Sequence, residues 1–570
     1  MQVSKSWPVL TVVWALWAAA CSTPQRPPST AAQKTRPVAE KPAAKSKSTT
    51  AQDQPIPVQA IAHYAAGLTY DLNGQAELAM NEYSAAALAN PSHEPVVVEA
   101  IRRFIRARKP DKAIEILTRA TASPNASGAL YSWLGLAYGQ AGQTALAIRA
   151  NRAAIQKMPR ALPAYQNLAQ IYLQSGQTNE AVRVLDEAAR QSTVDAAFLV
   201  DLAELYVRFG RTKNPKDDAI QNRVTKSLDR AAKLNPTNPV ILEKLGDRYS
   251  DLGDFAKAEP VYAQLLKTYP RLSPIRGKLA DLYIRMGRKD QAIEQLEEIA
   301  RVEPANARVL AFLGALLLAE QKIDQAVQHF ETAIRRNPDL EQVYYELAAV
   351  KIINLKKPED GLALLSEARS RFKPSFAMEF YAGLAHVLLK KFAEGIKHLT
   401  AAEILAKTGE PNRLTHQFYY QLGAAFEKNE NLDQAEKHFY KCLELSPDSA
   451  DAMNYLGYMW AERGIKLEQA HMLIQRAVEL EPANAAFLDS LAWVLFKLNQ
   501  PKNALALLLR AIELTEEPDA TLYDHLGDIY ASLEEFAQAR AAWRKSMNLE
   551  PNEHILRKLE AAASSGTAPP

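Results

Sequence analysis

The chain has 570 residues, of which 48% are apolar and 23% charged, and this composition excludes a wholly disordered protein. Its length exceeds what one compact core normally supports, so several domains or a repeat array are expected. The net charge of +3 arises in residues 1–56, which carry seven basic and two acidic side chains, and the rest of the chain has a net charge of −2. That balance lacks the basic footprint of a nucleic-acid-binding protein.

The first twenty residues predict a targeting signal. Lys5 precedes an apolar run from Val9 to Ala20 that is too short to cross a bilayer as a helix but fits a secretory signal peptide. The small residues before Cys21 resemble the bacterial lipobox, which implies cleavage before Cys21 and lipidation of this residue, for example with palmitate. The chain would then be held to a membrane by acyl groups alone. An ordinary signal peptide cut after Ala20 is the alternative.

A tether is predicted to follow the lipidated cysteine. The stretch from Ser22 to about Pro57 is rich in Ser, Thr, Pro, Ala, Gln and Lys and has no apolar periodicity, which is typical of disorder. Ser22 stands where an Asp would favour retention in the inner membrane, so the resemblance implies the outer membrane, with the chain facing the periplasm. We therefore assign residues 1–20 to a signal peptide and residues 21–57 to the lipidated cysteine and a disordered tether.

From residue 58 onwards, apolar residues recur at spacings of three and four, which predicts helices. Pro270, Pro304 and Pro338 are 34 residues apart and end successive helix pairs. The stretch from Ala520 to Pro551 shows the unit most clearly, with Gly527 in a first helix and Trp543 in a second. This period and these signature places resemble the tetratricopeptide repeat.

The resemblance implies an all-α fold, a tetratricopeptide-repeat superhelical solenoid of about 14 helical hairpins with a C-terminal capping helix. The array is predicted over residues 58–551, the capping helix over 552–563 and a disordered tail over 564–570. In the fifth hairpin an excess of about nine residues, including 211–218, predicts a longer loop between its helices, or else a partner-contacting loop. In the capping helix Ile555, Leu556 and Leu559 are predicted to face inward, and Lys558 outward.

No catalytic or metal site is predicted. The ten histidines are scattered and none stands in a known catalytic or metal-binding motif. His525 lies beside Asp524 and Asp528, but the two aspartates share a helical face that His525 largely avoids. Cys442 is expected to be a small packing residue. We expect a protein that is not an enzyme and has no cofactor.

The first helices of the later hairpins supply a candidate protein-binding groove. Aromatic side chains in a groove bury large areas at modest entropic cost, and an asparagine can both donate to and accept from a peptide backbone. The alternative is that tight winding buries the same residues against neighbouring repeats. The groove is predicted to include the following residues: Tyr345, Phe380, Leu384, Tyr420, Asn454, Tyr458, Asp489, Trp493 and Phe496.

The segment from Asn454 to Leu508 looks like bacterial repeat lipoproteins that bind a periplasmic carboxyl-terminal processing protease. This resemblance implies a lipid-anchored adaptor that activates such a serine protease and brings it substrates, which include peptidoglycan hydrolases. A scaffold for assembly or export through the outer membrane, serving a secretin, a pilus or a polysaccharide, is the alternative. An enzyme would require a catalytic site, and we find no motif for one in the sequence.

Overall fold

The computed structural model describes residues 57–210 and 218–564, and every element in these ranges is helical. The predicted all-α fold is confirmed. The predictions for Cys21, the signal peptide, nearly all of the tether, most of the fifth-hairpin insertion and residues 565–570 of the tail lie outside the described residues. None of the helices described is both long enough and apolar enough to cross a membrane.

The described residues fall into two compact units, 57–304 and 305–564. The N-terminal unit contains seven helical hairpins, in which each odd-numbered helix is the first of its pair. Its helices are α1 (Val58–Leu72), α2 (Ala76–Ala89), α3 (Glu94–Arg106), α4 (Pro110–Thr121), α5 (Gly128–Gln140), α6 (Thr144–Lys157), α7 (Leu162–Gln174), α8 (Thr178–Ala189), α9 (Ala196–Gly210), α10 (Asp218–Lys233), α11 (Pro239–Asp251), α12 (Phe255–Thr268), α13 (Ser273–Arg285) and α14 (Lys289–Val302).

The C-terminal unit contains seven further hairpins and a final single helix, and here too the odd-numbered helix opens each hairpin. A π-helical turn, Val350–Asn354, continues the first helix of the ninth hairpin. The helices are α15 (Ala307–Ala319), α16 (Ile323–Arg336), α17 (Glu341–Ala349), α18 (Pro358–Arg371), α19 (Phe376–Leu388), α20 (Phe392–Gly409), α21 (His416–Lys428), α22 (Leu432–Leu445), α23 (Ala450–Glu462), α24 (Leu467–Leu480), α25 (Ala485–Lys497), α26 (Pro501–Leu514), α27 (Ala520–Ser532), α28 (Phe536–Leu549) and α29 (Glu553–Ser564).

Within several hairpins the two helices meet where a glycine faces an aromatic ring. A Cβ atom on Gly246 would lie 2.6 Å from Cε1 of Tyr262, and one on Gly527 would lie 2.3 Å from Cδ1 of Trp543. Both distances are shorter than the non-bonded contacts that two carbon atoms make, so only glycine allows the ring to lie across the partner helix. Tyr262 and Trp543 are almost fully buried as a result. The close helix approach predicted from small residues is therefore present.

The last helix, α29, covers the end of the C-terminal unit, but its faces are rotated by about one residue from the prediction. Ile555 is buried and Lys558 points inward, where its ammonium donates to two carboxylates of α27. Leu556, predicted to be inward, is 42% exposed and lies on the outward face with Arg557. The prediction placed Lys558 outward because a charged residue normally faces solvent, whereas here it has two partly buried acidic partners.

Candidate protein-binding site

The first helices of each unit form a surface that we call the inner face. Adjacent first helices pack directly on one another in both units, as α5 does on α7 and α23 on α25. Each second helix packs mainly on its own first helix and on the first helix of the next hairpin. The residues of the first helices that point away from the second helices lie on this face.

A recurring contact joins neighbouring first helices across the inner face. In the N-terminal unit Lys278, the sixth residue of α13, donates to Glu243, the fifth residue of α11, at 2.7 Å. The same ammonium donates to Asp247, the ninth residue of α11, at 2.8 Å. We call this arrangement the inter-hairpin rung, defined by the fifth and ninth residues of one first helix and the sixth residue of the next first helix or of α29.

A neutral version of the rung joins two earlier hairpins. Asn167, the sixth residue of α7, donates through Nδ2 to the hydroxyl of Ser132, the fifth residue of α5, at 3.2 Å. It also donates to the Ser132 carbonyl at 3.1 Å. The inner-face polar groups of these two rungs are thus satisfied within the protein, which leaves them little need of an external partner.

Two complete rungs close the C-terminal end of the array. His525, the sixth residue of α27, has Nδ1 2.8 Å from Oδ1 of Asp489, the fifth residue of α25. Lys558, the sixth residue of α29, donates to Asp524 at 2.8 Å and to Asp528 at 2.7 Å, the fifth and ninth residues of α27. The pairs between a fifth and a sixth residue, Asp489–His525 and Asp524–Lys558, are 36 and 34 residues apart along the chain, which is about one repeat.

The buried rungs shift the pKa values of their members. Burial alone would lower the pKa of His525, but the neighbouring Asp489 carboxylate outweighs it and raises the pKa above its usual range. Burial raises the pKa of Asp528, and the Lys558 ammonium offsets this only in part. These groups hold the hairpins together and are not arranged around a shared metal position. Among the described residues no group of three or more potential ligands could hold a metal ion.

Four of the nine predicted groove residues are buried. This agrees with the alternative in which winding buries such residues against neighbouring repeats. Phe380 stacks on Phe376 with ring centroids 5.4 Å apart. Tyr345 donates its hydroxyl to Glu341 at 2.8 Å. Asp489 belongs to the rung with His525, and Trp493 stacks on the same imidazole at 4.0 Å. Four side chains of the predicted groove therefore pack largely within the unit, and their part in binding stays a prediction.

The other five predicted residues are half-buried and keep surface on the inner face. Tyr420, the fifth residue of α21, meets Tyr455, the sixth of α23, edge to face at 5.7 Å, which is an aromatic form of the rung. Phe496 stacks on Trp493 at 5.1 Å. The half-buried residues are Leu384, Tyr420, Asn454, Tyr458 and Phe496.

Several inner-face polar atoms of the C-terminal unit are buried without a hydrogen-bond partner, among them Oε2 of Glu346, Oδ1 of Asn454 and Nε1 of Trp493. Burial raises the pKa of Glu346 to about 7. A buried polar atom without a partner costs about 1–3 kcal/mol, so such atoms are uncommon and call for an explanation. The sequence pattern pointed to Asn454 and Trp493 but missed Glu346, because a glutamate on a first helix is ordinarily solvated.

The rung pattern itself was missed at the sequence level. Its signal is a polar residue followed 34 to 36 positions later by a complementary one, as with Glu243 and Lys278 or Asp489 and His525. That signal is visible only once each helix has been counted from its first residue. Cys442 is fully buried, and Cys21 lies outside the described residues.

Comparison with known families identifies the repeat. Models of the tetratricopeptide repeat match segments that together make up just over half of the chain. The chain belongs to the tetratricopeptide-repeat family, and the hairpins described above form its solenoid. The matched segments are residues 98–164, 140–199, 249–316, 307–340, 416–449, 485–517 and 520–553.

Relatives match parts of the chain. A 177-residue segment is 28% identical to a TPR repeat-containing protein of Pseudomonas aeruginosa, covering 31% of this chain and 29% of that protein. A 148-residue segment is 26% identical to type IV pilus assembly protein PilF of the same bacterium, covering 26% of this chain and 58% of that protein. The chain thus spans less than two thirds of the length of these relatives.

Solved repeat structures are also similar. The Cut9–Hcn1 structure of the APC/C has 13% identity and a TM-score of 0.37, over 82% of this chain and 96% of that one. MamA of Desulfovibrio magneticus has 21% identity and a TM-score of 0.28, over 31% of this chain and 96% of its own.

Proposed function

We propose that the chain is a lipid-anchored periplasmic scaffold that binds a carboxyl-terminal processing protease, activates it and presents substrates such as peptidoglycan hydrolases. The observation that carries the binding role is the repeat array, whose C-terminal inner face leaves buried polar atoms unpaired and aromatic side chains half-buried. The lipobox-like residues before Cys21 support the anchor, and the segment from Asn454 to Leu508 supports the protease as partner.

The proposed mechanism is co-localisation. One part of the array holds the protease, while the inner face of the C-terminal unit holds a substrate segment. Two proteins on one scaffold meet at an effective concentration set by geometry, and this reaches the millimolar range for short connections. The scaffold therefore needs no catalytic residue of its own.

Reconstitution tests the partner. The purified chain is added to a carboxyl-terminal processing protease and a peptidoglycan hydrolase, and cleavage of the hydrolase is followed over time. Cleavage is expected to be at least tenfold faster than with the protease alone. No acceleration at scaffold concentrations above that of the protease would contradict the protease assignment.

The membrane anchor has a separate test. Cys21→Ser removes the thiol to which lipid would attach, so the variant is expected to carry no label from radioactive palmitate and to be lost from the outer-membrane fraction. The outer-membrane fraction should contain the wild-type chain. Cys442→Ser serves as the matched control. Cys442 is buried in a helix, so its replacement should leave fractionation unchanged. Palmitate label on Cys21→Ser, or its retention in the outer-membrane fraction, would contradict lipid anchoring at Cys21.

A pilus or secretin assembly scaffold is the second candidate, favoured by the 26% identity to PilF over 148 residues. The two candidates differ in what co-purifies with the chain from envelope extracts. A serine protease supports the first, whereas an outer-membrane channel supports the second. Loss of the co-purified protein in the Asn454→Leu variant would assign its binding to the inner face of the C-terminal unit.

A further inference from the structure

The helix that opens the N-terminal unit, α1, carries an exposed row of large apolar side chains, which we call the apolar row: Val58, Ile61, Leu68 and Leu72. Val58 and Leu72 are 81% and 89% exposed, and the other two are about half exposed. No other described helix exposes more than two large apolar residues. Single exposed apolar residues are normal on a protein surface, whereas a contiguous group of them marks a contact with another apolar body.

The apolar row lies on the side of α1 where a preceding hairpin would pack. Its spacings of three, seven and four residues place it on one helical face together with Ala65. Gly67 faces an aromatic ring of α2, as Gly527 faces one of α28. Ala65 therefore corresponds to His525, which contacts the preceding hairpin. No described hairpin precedes α1, so this end of the array is apolar, whereas α29 covers the other end with a polar outer face.

Three arginines adjoin the apolar row in the second hairpin: Arg102, Arg106 and Arg108. Arg102 follows Leu68 by 34 residues, which is one repeat. Arg106 follows Leu72 by the same interval, so both arginines lie one helix spacing, about 8–10 Å, from the row. All three guanidinium groups are exposed and form no ion pair with a described residue.

The acidic residues that follow the apolar row most closely along the chain are already paired. Asp71 accepts from Arg103 at 2.9 Å, which also holds α3 against the end of α1. Glu77 accepts from Lys109 at 2.6 Å. This end of the N-terminal unit therefore combines an uncovered apolar row with three cations that have no counter-charge in the described part of the chain.

Composition and charge decide what covers the apolar row. The 35 residues before α1, 22–56, include only two large apolar ones, Val38 and Ile56, which are too few to fill it. The same segment has six basic and two acidic side chains. Two copies joined through α1 would bring these basic segments and both sets of arginines together, and like charges repel. An anionic lipid surface suits both features, because its acyl region accepts apolar side chains and its headgroups attract cations.

We propose that the apolar row and the three arginines bind the surface of an anionic membrane. The apolar side chains enter the boundary between headgroups and acyl chains, and the guanidinium groups pair with lipid phosphates, which they bind through two parallel hydrogen bonds. The contact is reversible and is weakened by salt, so it orients the first hairpins on the membrane and does not replace a lipid anchor. The inference goes beyond the proposed function, and it requires neither a protease nor lipid on Cys21.

The test uses the mature chain, residues 21–570, with Cys21→Ser so that no attached lipid contributes. Flotation measures its binding to vesicles of phosphatidylethanolamine with about 30% phosphatidylglycerol, and to vesicles of neutral phosphatidylcholine. This parent chain is expected to bind the anionic vesicles at least about tenfold more tightly than the neutral ones, and less tightly as salt is raised.

Two variants separate the apolar and the charged contributions. The double variant Leu68→Gln with Leu72→Gln should bind anionic vesicles at least about tenfold more weakly than the parent chain. The triple variant Arg102→Gln, Arg106→Gln and Arg108→Gln should lose a similar factor on anionic vesicles and bind neutral ones as the parent does. All five side chains are exposed, so both variants should keep the melting temperature of the parent.

The matched controls change equally exposed residues of the C-terminal unit and should bind as the parent does. They are the double variant Leu445→Gln with Met472→Gln and the triple variant Arg336→Gln, Arg463→Gln and Arg544→Gln.

Three outcomes would overturn the proposal. The first is a parent chain that binds neither kind of vesicle. The second is equal binding by the parent and the leucine variant, which would assign the membrane contact to the basic segment 22–56 alone. The third is a parent chain that ignores vesicles but forms dimers in sedimentation, or activates the protease, in a way that the leucine variant loses. The row would then belong to a second copy or to a protein partner. Vesicle binding without any protease activation would refute the proposed function and leave this surface standing.

Discussion

The imidazole of His525 stacks on the indole of Trp493, with ring centroids 4.0 Å apart and planes 16° apart. Its Nδ1 simultaneously contacts the Asp489 carboxylate at 2.8 Å. One side chain of the last hairpin thus touches both the fifth and the ninth residues of the preceding first helix, as Lys278 and Lys558 do elsewhere. The junction between the last two hairpins is therefore held by a group that titrates.

Stability of this junction should depend on pH. The folded-state pKa of His525 is raised, so the contribution of its charge is complete below the unfolded value of about 6.5 and is lost as pH rises through the folded value. The wild-type chain is expected to melt at a lower temperature at pH 9 than at pH 6. The His525→Gln variant keeps a donor without a titrating ring and should lose that part of the pH dependence.

Calorimetric melting curves at intervals of half a pH unit give the comparison. His554→Gln is the control, because His554 is exposed on α29 and its replacement should leave the wild-type profile unchanged. Equal pH profiles for wild type and His525→Gln would show that the Asp489–His525 contact carries no linked proton.

The packing of the capping helix α29 should depend on a single lysine, Lys558. Lys558→Met leaves Asp524 and Asp528 without their counter-ion, at side-chain exposures of only 23% and 18%. Removing one partner of a fully buried pair costs about 3–5 kcal/mol, and this partly buried pair should lose less, but still enough for α29 to fray and its amides to exchange rapidly. Hydrogen exchange followed by mass spectrometry of residues 553–564 measures the effect.

Arg557→Met is the neighbouring control. Arg557 is 77% exposed and its 3.6 Å pair with Glu553 lies in solvent, where such pairs contribute about 0–1 kcal/mol. Exchange in α29 should stay close to wild type in this variant. Equal fraying in the two variants would show that helix propensity, and not the acidic pair on α27, holds the cap.

Helix positions were predictable because the repeat encodes them locally: an apolar stripe every three or four residues, a small residue at the crossing and a proline at the end. Gly527 facing Trp543 is an example in which two residue types alone suggest the contact. Contacts between hairpins were less accessible. Lys558 was predicted to face outward because charge normally indicates solvent, and its acidic partners lie 30 to 34 residues away.

In the candidate site, too, residue types were predictable from the sequence and contacts between hairpins were not. Residue type alone could propose Asn454 and Trp493 as binding residues, since both carry hydrogen-bonding groups beside aromatic rings. It could not separate them from Asp489, which looks equally available but is paired with His525 at 2.8 Å. Whether a polar group has a hydrogen-bond partner depends on the residue one repeat away. Oδ1 of Asn454 has none, and Ser490 donates its hydroxyl within its own helix.

Glycine at the helix crossing should be needed at some positions and replaceable at others. Gly527→Ala places a Cβ 2.3 Å from the Trp543 indole, which must then move away from its 3.0 Å hydrogen bond to Asp528. A loss of about 1–3 kcal/mol in unfolding free energy is expected. Gly139→Ala brings Cβ only within 3.7 Å of Ile171 and should instead gain up to about 1 kcal/mol from helix propensity. Urea unfolding of both variants decides this, and a loss in Gly139→Ala would contradict it.

Glu346 should make the C-terminal unit less stable as pH rises. As the sixth residue of α17 it corresponds in the rung to Ala311 and Ala315, the fifth and ninth residues of α15, which offer no polar partner. Only Gln342 donates to it, at a long 3.4 Å, and burial raises its pKa to about 7 from an ordinary 4.5. The folded state therefore keeps a proton that the unfolded chain releases between these values, and stability falls across this window.

Replacing the carboxyl group by an amide tests this directly. Glu346→Gln cannot ionise, so it should be more stable than wild type at pH 8 by up to about 3 kcal/mol and indistinguishable from it at pH 4. Glu444→Gln, at an exposed position of α22, is the control and should change stability little at either pH. Urea unfolding at pH 4, 6 and 8 provides the measurement. A stability difference between Glu346→Gln and wild type that does not grow with pH would mean that Glu346 is ionised in the folded protein at no cost.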